Sequence, residues 1–347
     1  MNVIFKREDF TLCDVPVPKG YPQSQTHSGV AYHNGNYYMV TSPYPNYKRN
    51  KVCLYTMAAI RKLTKNHYGV IKLGEFYENP CLYVNSQSSD LPPVSFRMMT
   101  SGALMENPEK LYGLPTFNSD PDIFIDDDNI YVLNRSVIRT ELLVGGGYRS
   151  VIKLYLLNGK DVNGRFSLDE CCILKCGNKT IISPCLQKIG EKYVLMYLDT
   201  NSYNDGSTYK GLFCQFSDSL KGFQEEGIIK TINVDAGSYV PWHMSLFKYQ
   251  EKLYSIIACV KKGIGHRCWQ MLAEFNDNLS ELKIYQTPLR DFASYRGAAC
   301  VTETGRFVLY NTTVHEKIKG SKSVDGRDVI MAKMPFDELI NSLKTVE

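Results

Sequence analysis

One short β-hairpin pattern occurs five times along the chain, and this repetition limits the folds that the sequence can adopt. In each copy an apolar or aromatic strand leads through a short polar turn into a second strand of the same kind, as in a β-hairpin. The copies begin at His27, Asp120, Ile182, His243 and Gly297. The turns are predicted at Asn34–Gly35, Asp128–Asn129, Gly190–Glu191, Gln250–Glu251 and Thr304–Gly305. Such repetition is typical of architectures in which each unit packs on its neighbours.

The spacing of the turns favours a β-propeller. Turn positions 35, 128, 190, 251 and 305 lie 93, 62, 61 and 54 residues apart. These intervals are somewhat longer than the ~40–50 residues of common propeller blades, so each has room for four short strands. We therefore predict an all-β fold, a single five-bladed β-propeller domain over residues 1–347, with an insertion at about residues 79–116. A β-sandwich or barrel is the alternative, but neither needs one hairpin at near-constant spacing.

The position of each blade follows from its hairpin. The inner strands and their partners are predicted near residues 27–40, 120–133, 182–197, 243–258 and 297–310. At the end of the chain, Pro335 precedes the sequence FDELINSL, which predicts a short C-terminal helix because proline is favoured at the start of a helix.

Two of these strands resemble a known group of enzymes. The stretch Asp120-Pro121-Asp122, continued by IFIDDD, resembles the second-blade strand of the five-bladed glycoside hydrolases of families 43, 32, 68 and 130. Ser183-Pro184-Cys185-Leu186 resembles their third-blade strand. In these enzymes the catalytic carboxylates lie at the starts of the innermost strands, and hydrolysis needs one protonated and one ionised carboxyl group. The resemblance implies a carbohydrate-active propeller, a glycosidase-like hydrolase acting on a glycan in an axial pocket.

Only one of the three catalytic carboxylates of these families has a match in this sequence. Asp120 matches the orienting aspartate of blade two. His27 stands where the blade-one aspartate is expected, and Ile182-Ser183 precedes the proline of blade three where a glutamate is expected. Because two of the three acids are unmatched, the resemblance favours an enzyme but leaves a second interpretation open, a non-catalytic propeller that binds a glycan or a protein.

Aligning the hairpins through their turns predicts which side chains meet at the axis. We name this set the axial cluster; it consists of His27, Asp120, Ser183, His243 and Arg296, with Asp122 and Trp242 next to it. Asp120, His27 and His243 are the catalytic candidates, since a carboxylate and imidazoles with pKa values near ~6.5 suit acid–base chemistry at neutral pH.

The other members of this set are candidates for substrate binding. Arg296 offers a planar fork of donors to a carboxylate or to sugar hydroxyls, and Trp242 offers a stacking surface. Asp122 and Ser183 complete the predicted binding set. A polar loop that starts at Asp199 and includes Asp205 is a further source of an acid.

Charge and composition limit the classes of binding partner that we expect. The net charge is only +4, from 40 basic and 36 acidic residues without a long basic run, so we expect no nucleic-acid partner. No segment approaches the ~18 apolar residues of a membrane span, and no signal peptide is recognised. The predicted partner is an oligosaccharide or polysaccharide. No cofactor is expected, although histidine and carboxylate together make a divalent cation in the axial pocket the less favoured alternative.

Cysteine usage bears on the compartment. The chain has 11 cysteines, an odd number, and several of them lie in apolar strand-like runs, as Cys185, Cys259 and Cys300 do. Buried thiols of this kind favour a cytoplasmic or otherwise reducing compartment, with an exported or phage-associated form as the alternative.

Overall fold

The computed structural model describes most of the chain outside three long segments and several loops. The described residues are 3–16, 25–43, 81–85, 97–98, 117–142, 148–160, 167–169, 180–200, 209–224, 229–261, 268–290, 294–314, 318–321, 323 and 326–346. Within them the chain forms β-strands almost throughout and ends in an α-helix.

The strands alternate with short turns along the chain. They are β1 (Thr11–Leu12), β2 (Gln25–His33), β3 (Asn36–Pro43), β4 (Cys81–Asn85), β5 (Arg97–Met98), β6 (Phe117–Asp126), β7 (Asn129–Leu142), β8 (Tyr148–Gly159), β9 (Ser167–Asp169), β10 (Ile181–Ile189), β11 (Lys192–Asp199), β12 (Gly211–Ser217), β13 (Lys230–Asp235), β14 (Tyr239–Tyr249), β15 (Lys252–Lys261), β16 (Cys268–Phe275), β17 (Glu281–Ile284), β18 (Ser294–Val301), β19 (Arg306–Thr313) and β20 (Val329–Pro335). Single 3-10 turns occupy Arg7–Asp9 and Leu220–Gln224, and the helix α1 covers Phe336–Val346.

The strands pair in sets of four, which are consecutive in sequence except that β1 joins β18 to β20. Three sheets have the orders β2-β3-β4-β5, β6-β7-β8-β9 and β1-β20-β19-β18. An eight-stranded sheet contains the antiparallel sets β10 to β13 and β14 to β17, which join where β13 pairs in parallel with β17. Because this pairing merges two sets into one sheet, the count of five separate blades stays a prediction, as do the domain limits.

One end strand of each set lies at the centre of the molecule. These strands contact one another in a closed cycle that runs from β2 through β6, β10, β14 and β18 back to β2. The last sheet also closes the chain on itself, since β1 near the N-terminus pairs with β20 near the C-terminus. The cycle brings residues that are distant in sequence to a common axis.

The hairpins and the helix follow the sequence prediction closely. Three of the five predicted turns are in place, and two lie one residue earlier than predicted. The second is at Asp127–Asp128, because Asp126 pairs with Asn129, and the fifth is at Glu303–Thr304, because the amide of Gly305 donates to the carbonyl oxygen of Thr302. The helix α1 starts directly after Pro335, as predicted, and its buried Phe336 packs edge-on against Phe247 at a centroid distance of 5.8 Å. Most of the predicted insertion at 79–116 lies outside the described residues; β4 and β5 are its described parts.

Two further observations concern the cysteines and the helices. The free cysteines of the described residues are all buried. They include Cys185, Cys259 and Cys300, as the apolar sequence around these three predicts, and also Cys13, Cys214 and Cys268. The compartment itself stays a prediction. In the described part of the chain, no helix has the length and apolar character needed to cross a membrane.

Candidate functional site

Each of the five inner strands has an irregularity near its start. The pairing register shifts between Thr26 and Gly29, Ser119 and Asp122, Ile182 and Cys185, Pro241 and His243, and Ser294 and Gly297. A β-bulge bends the strand and redirects the side chain of the extra residue. The shifts therefore turn one or two side chains of every inner strand out of the regular alternation at equivalent places.

Three of the bulged residues share an unusual backbone conformation. His27, Asp120 and Ser183 have φ values of 53°, 51° and 49°, in the left-handed region that side chains other than glycine seldom adopt. This common backbone also corrects the sequence alignment, because Ser183 and not Ile182 is the equivalent of Asp120 in the third set. In β14 and β18 the shifted positions hold Trp242 and the pair Tyr295-Arg296.

Two histidines and one aspartate converge in the axial cluster. Nε2 of His27 lies 3.3 Å from Oδ1 of Asp120, and Nδ1 of His243 lies 3.5 Å from the same oxygen. All three side chains are buried. We call His27, Asp120 and His243 the His–Asp–His group. Its members come from β2, β6 and β14, so the ring of inner strands assembles the group as predicted.

Two polar side chains support this group. Nη1 of Arg135, on β7, lies 3.4 Å from Oδ2 of Asp120, which leaves Oδ1 to the imidazoles. A 2.8 Å hydrogen bond joins Oγ of Ser183 and Nδ1 of His243, and its direction depends on the tautomer of the imidazole. Both contacts restrict the rotamers of the residues that they touch.

Aromatic rings form one wall of the group. The ring of Tyr295 lies 5.0 Å from that of His27 and 4.7 Å from that of His243. The guanidinium of Arg327 lies over the Tyr295 ring at 5.5 Å. Since Tyr295 is only partly buried, it lies between the buried imidazoles and the surface.

The environment fixes the protonation states. Burial lowers the pKa of His27 to about 4, because Asp120 only partly offsets desolvation and the nearby arginines add to it. Burial also lowers the pKa of His243 well below its usual value. Burial alone would raise the pKa of Asp120, but electrostatic attraction to His27, His243 and Arg135 outweighs burial and holds the pKa of this carboxyl group well below its usual range. At neutral pH an ionised carboxylate therefore lies between two neutral imidazoles.

Arg296 and Asp122 contact each other and the backbone of neighbouring strands. The buried guanidinium of Arg296 donates to the carbonyl oxygens of Met244 and Pro121 at 3.0 and 2.8 Å, and its Nη2 lies 3.5 Å from Oδ1 of Asp122. Oδ2 of Asp122 accepts from the amide of Leu186 at 3.3 Å. Burial raises the pKa of Asp122 to about 6, although Arg296 opposes the shift. These contacts favour a structural role, and substrate binding by either residue stays a prediction.

The remaining candidates lie at the margins of the cluster. Trp242 is 7% exposed, packs in an apolar group with Val240 and Val260, and contacts the His243 ring at 5.0 Å. Asp199 is buried and accepts a 3.0 Å hydrogen bond from the amide of Thr180. Asp205 lies outside the described residues. Within the residues described here, the two imidazoles face the carboxylate of Asp120 alone.

Sequence reasoning missed Arg135 and assigned no role to Tyr295. Arg135 pairs with Ser119, the residue before Asp120, on the other strand of the same hairpin. Counting back from the observed turn at Asp127–Asp128 brings Arg135 level with Asp120, whereas counting from the predicted turn gives Val137, so the one-residue error in the turn hid this arginine. Tyr295 occupies the bulge of β18, next to the predicted Arg296, but only the bulge turns it toward the imidazoles.

No protein-family model and no curated protein match this sequence. Solved structures match it nearly end to end at low identity. An N-acetylgalactosamine deacetylase from F. plautii superposes with a TM-score of 0.64 at 15% identity, covering 96% of both chains. A xylan β-1,4-xylosidase from Bacillus halodurans C-125 superposes with a TM-score of 0.60 at 14% identity. The match spans 91% of this chain but only 54% of that enzyme.

A third structure extends the comparison to another hydrolase family. The family 32 β-fructofuranosidase from Bombyx mori superposes with a TM-score of 0.55 at 11% identity, over 93% of this chain and 61% of that enzyme. These similarities confirm the predicted β-propeller fold and, at the level of fold, the resemblance to propeller glycoside hydrolases.

Proposed function

We propose that the protein is a carbohydrate-active hydrolase whose glycan substrate binds over the axial cluster. The observation that carries this proposal is the convergence of His27, Asp120 and His243 at the bulged starts of three inner strands. Of these three residues, His27 and Asp120 have the left-handed backbone, and residues held in such a sparsely populated conformation concentrate at active sites.

The surroundings suit a sugar. Tyr295 presents an aromatic ring beside the imidazoles, and apolar sugar faces pack well on such rings. The solved structures of similar fold are named for activity on N-acetylgalactosamine, xylan and β-fructofuranosides. Together these features support a glycan over other small molecules.

The chemistry differs from the two-carboxylate mechanism of most glycoside hydrolases. That mechanism uses two carboxyl groups about 5–10 Å apart, one of them protonated. Here the described residues place Asp120 between two neutral imidazoles, and Asp122 is bound to Arg296. We assign to Asp120 the orientation of the attacking water, with His27 and His243 fixing the carboxylate.

The test measures turnover on a panel of aryl glycosides, oligosaccharides and acetylated sugars, following both new reducing ends and released acetate. We expect turnover by the parent protein and a loss of about 100-fold or more in Asp120→Asn, the cost expected when a reacting group is no longer held in place. Asp128→Asn is the matched control, since Asp128 is exposed in the turn of the same hairpin.

Two results would overturn the proposal. Equal turnover by Asp120→Asn and the parent would remove Asp120 from the reaction. Binding of a panel glycan by the parent without turnover of any compound would identify a non-catalytic glycan-binding propeller. Melting curves of all three proteins establish that each is folded.

A further inference from the structure

We infer that the His–Asp–His group is a mononuclear site for a divalent metal ion of the zinc class. The ligands are Nε2 of His27, Oδ1 of Asp120 and Nδ1 of His243. The inference rests on the proposed function in that the ion would lie where the glycan binds, and it deepens that function by naming the source of the reactive water.

The three candidate ligand atoms lie close together. One donor atom from each of the three buried residues lies within 4.8 Å of the others. Bonds of about 2.0–2.1 Å at tetrahedral angles place neighbouring ligand atoms about 3.3–3.4 Å apart. The two nitrogen–oxygen separations here, 3.3 and 3.5 Å, match that spacing. They are longer than the ~2.7–2.9 Å of a charge-assisted hydrogen bond.

The donor set selects the class of ion. Two imidazole nitrogens and one carboxylate oxygen suit zinc, manganese, cobalt or iron(II). Calcium takes about six to eight oxygen ligands, and two of the three donors here are nitrogens. We therefore expect a preference for borderline metals over calcium.

The residues around the group act as an outer shell. Arg135 contacts Oδ2 of Asp120 and so orients Oδ1 toward the imidazoles, as outer-shell partners of ligating carboxylates do. Ser183 bonds the ligating nitrogen of His243 at 2.8 Å, and metal binding exchanges that hydrogen bond for a metal–nitrogen bond. The positive charges of Arg135 and Arg296 oppose a cation, so the affinity depends on all three ligands.

Three protein ligands leave a position for water. A bound metal lowers the pKa of such a water toward neutrality and polarises an acyl or glycosidic oxygen. Hydrolysis adds the elements of water across one bond and needs no oxidant or reductant. The ion would supply the activated water that the buried carboxylate and imidazoles alone provide weakly.

The test uses the full chain, stripped with a chelator and dialysed, and titrated with zinc, manganese, cobalt or calcium chloride alone. Isothermal titration calorimetry and elemental analysis give affinity and stoichiometry, and the visible spectrum of the cobalt form reports nitrogen and oxygen coordination. We expect one zinc or cobalt ion per chain and calcium bound at least 100-fold more weakly.

Zinc binding by variants of the three ligand residues tests where the ion lies. His27→Ala and His243→Ala should each weaken zinc binding by more than about 100-fold, since even outer-shell partners contribute about 10–100-fold. His33→Ala, at the other end of β2, is the matched control and should bind as the parent does. Asp120→Asn keeps the side-chain shape and tests the carboxylate if an alanine variant unfolds.

The outcomes separate this inference from the proposed function. No stoichiometric binding of a zinc-class ion to the folded parent, or binding unchanged in the folded His27, His243 and Asp120 variants, overturns the metal site, whether or not the protein hydrolyses a glycan. A bound ion lost in these variants, in a protein that turns over no panel compound, supports the metal site and contradicts the hydrolase.

Discussion

Arg296 and Asp122 are 174 residues apart in the chain, yet Nη2 of Arg296 lies 3.5 Å from Oδ1 of Asp122 in the buried centre of the protein. The same guanidinium donates to the carbonyl oxygens of Pro121 and Met244. One side chain from β18 therefore connects β6 and β14. It contributes to holding the ring of inner strands, and with it the His–Asp–His group, in one geometry.

Replacing Arg296 by methionine should therefore lower the free energy of unfolding by about 3–5 kcal/mol, because a buried carboxylate loses its partner. Urea unfolding measures the change. Asp122→Asn added to Arg296→Met should restore part of the loss, since it removes the unpaired charge. Lys192→Met, at an exposed ion pair, is the control and should change stability by less than about 0.5 kcal/mol. A loss below about 1 kcal/mol in Arg296→Met would contradict this account.

Gly29 marks a close approach of two inner strands. A methyl group at this position would lie 3.0 Å from both Cα and Oδ1 of Asp122 and 3.2 Å from the amide nitrogen of Ile123. Because two of these atoms belong to backbone, Gly29→Ala should cost about 1–3 kcal/mol through overpacking. It should also separate His27 from Asp120 and reduce turnover. Thermal and urea unfolding check the first effect, and stability equal to that of the parent would show that β2 and β6 are farther apart.

The repeated hairpins made the fold predictable. Alternating strands and polar turns appear in local sequence, so turns such as Asn34–Gly35 could be located within a residue. Equivalent hairpins in a ring place equivalent residues at one axis, and this geometry predicted that His27, Asp120 and His243 meet. The prediction needed no knowledge of side-chain contacts.

What local sequence could not predict arises from bulges and from packing between sets. A bulge inserts residues whose identity the alternation of apolar residues does not reveal, so Ile182 was aligned where Ser183 lies. The parallel pairing of β13 with β17 joins outer strands of different sets, and no periodicity encodes it. The burial of Arg296 likewise depends on the carbonyl groups that surround it.

The left-handed backbone at Ser183 allows a direct comparison of two substitutions. Ser183→Ala and Ser183→Gly both remove the 2.8 Å hydrogen bond to His243. Only glycine relieves the strain of φ 49°, a conformation that costs other residues about 1–2 kcal/mol. The greater freedom of glycine in the unfolded chain cancels about 0.4–1 kcal/mol of this gain in stability. The glycine variant should therefore be the more stable of the two by about 0.5–1 kcal/mol in urea unfolding. A more stable alanine variant would contradict the left-handed conformation.

Tyr295 should position the imidazoles through its ring and not through its hydroxyl. Its ring contacts both His27 and His243 at centroid distances of 5.0 and 4.7 Å, and aromatic pairs of this kind contribute about 0.5–1.5 kcal/mol each. Tyr295→Phe keeps the ring, so its turnover on the best panel substrate should stay within about threefold of the parent. Tyr295→Ala should lose at least about tenfold in turnover, because small misplacements of reacting groups cost about that much or more. Kinetics of the two variants measure the difference, with melting curves to show that both are folded. Equal losses in the two variants would assign the effect to the hydroxyl group, and two unchanged variants would place the substrate away from this wall.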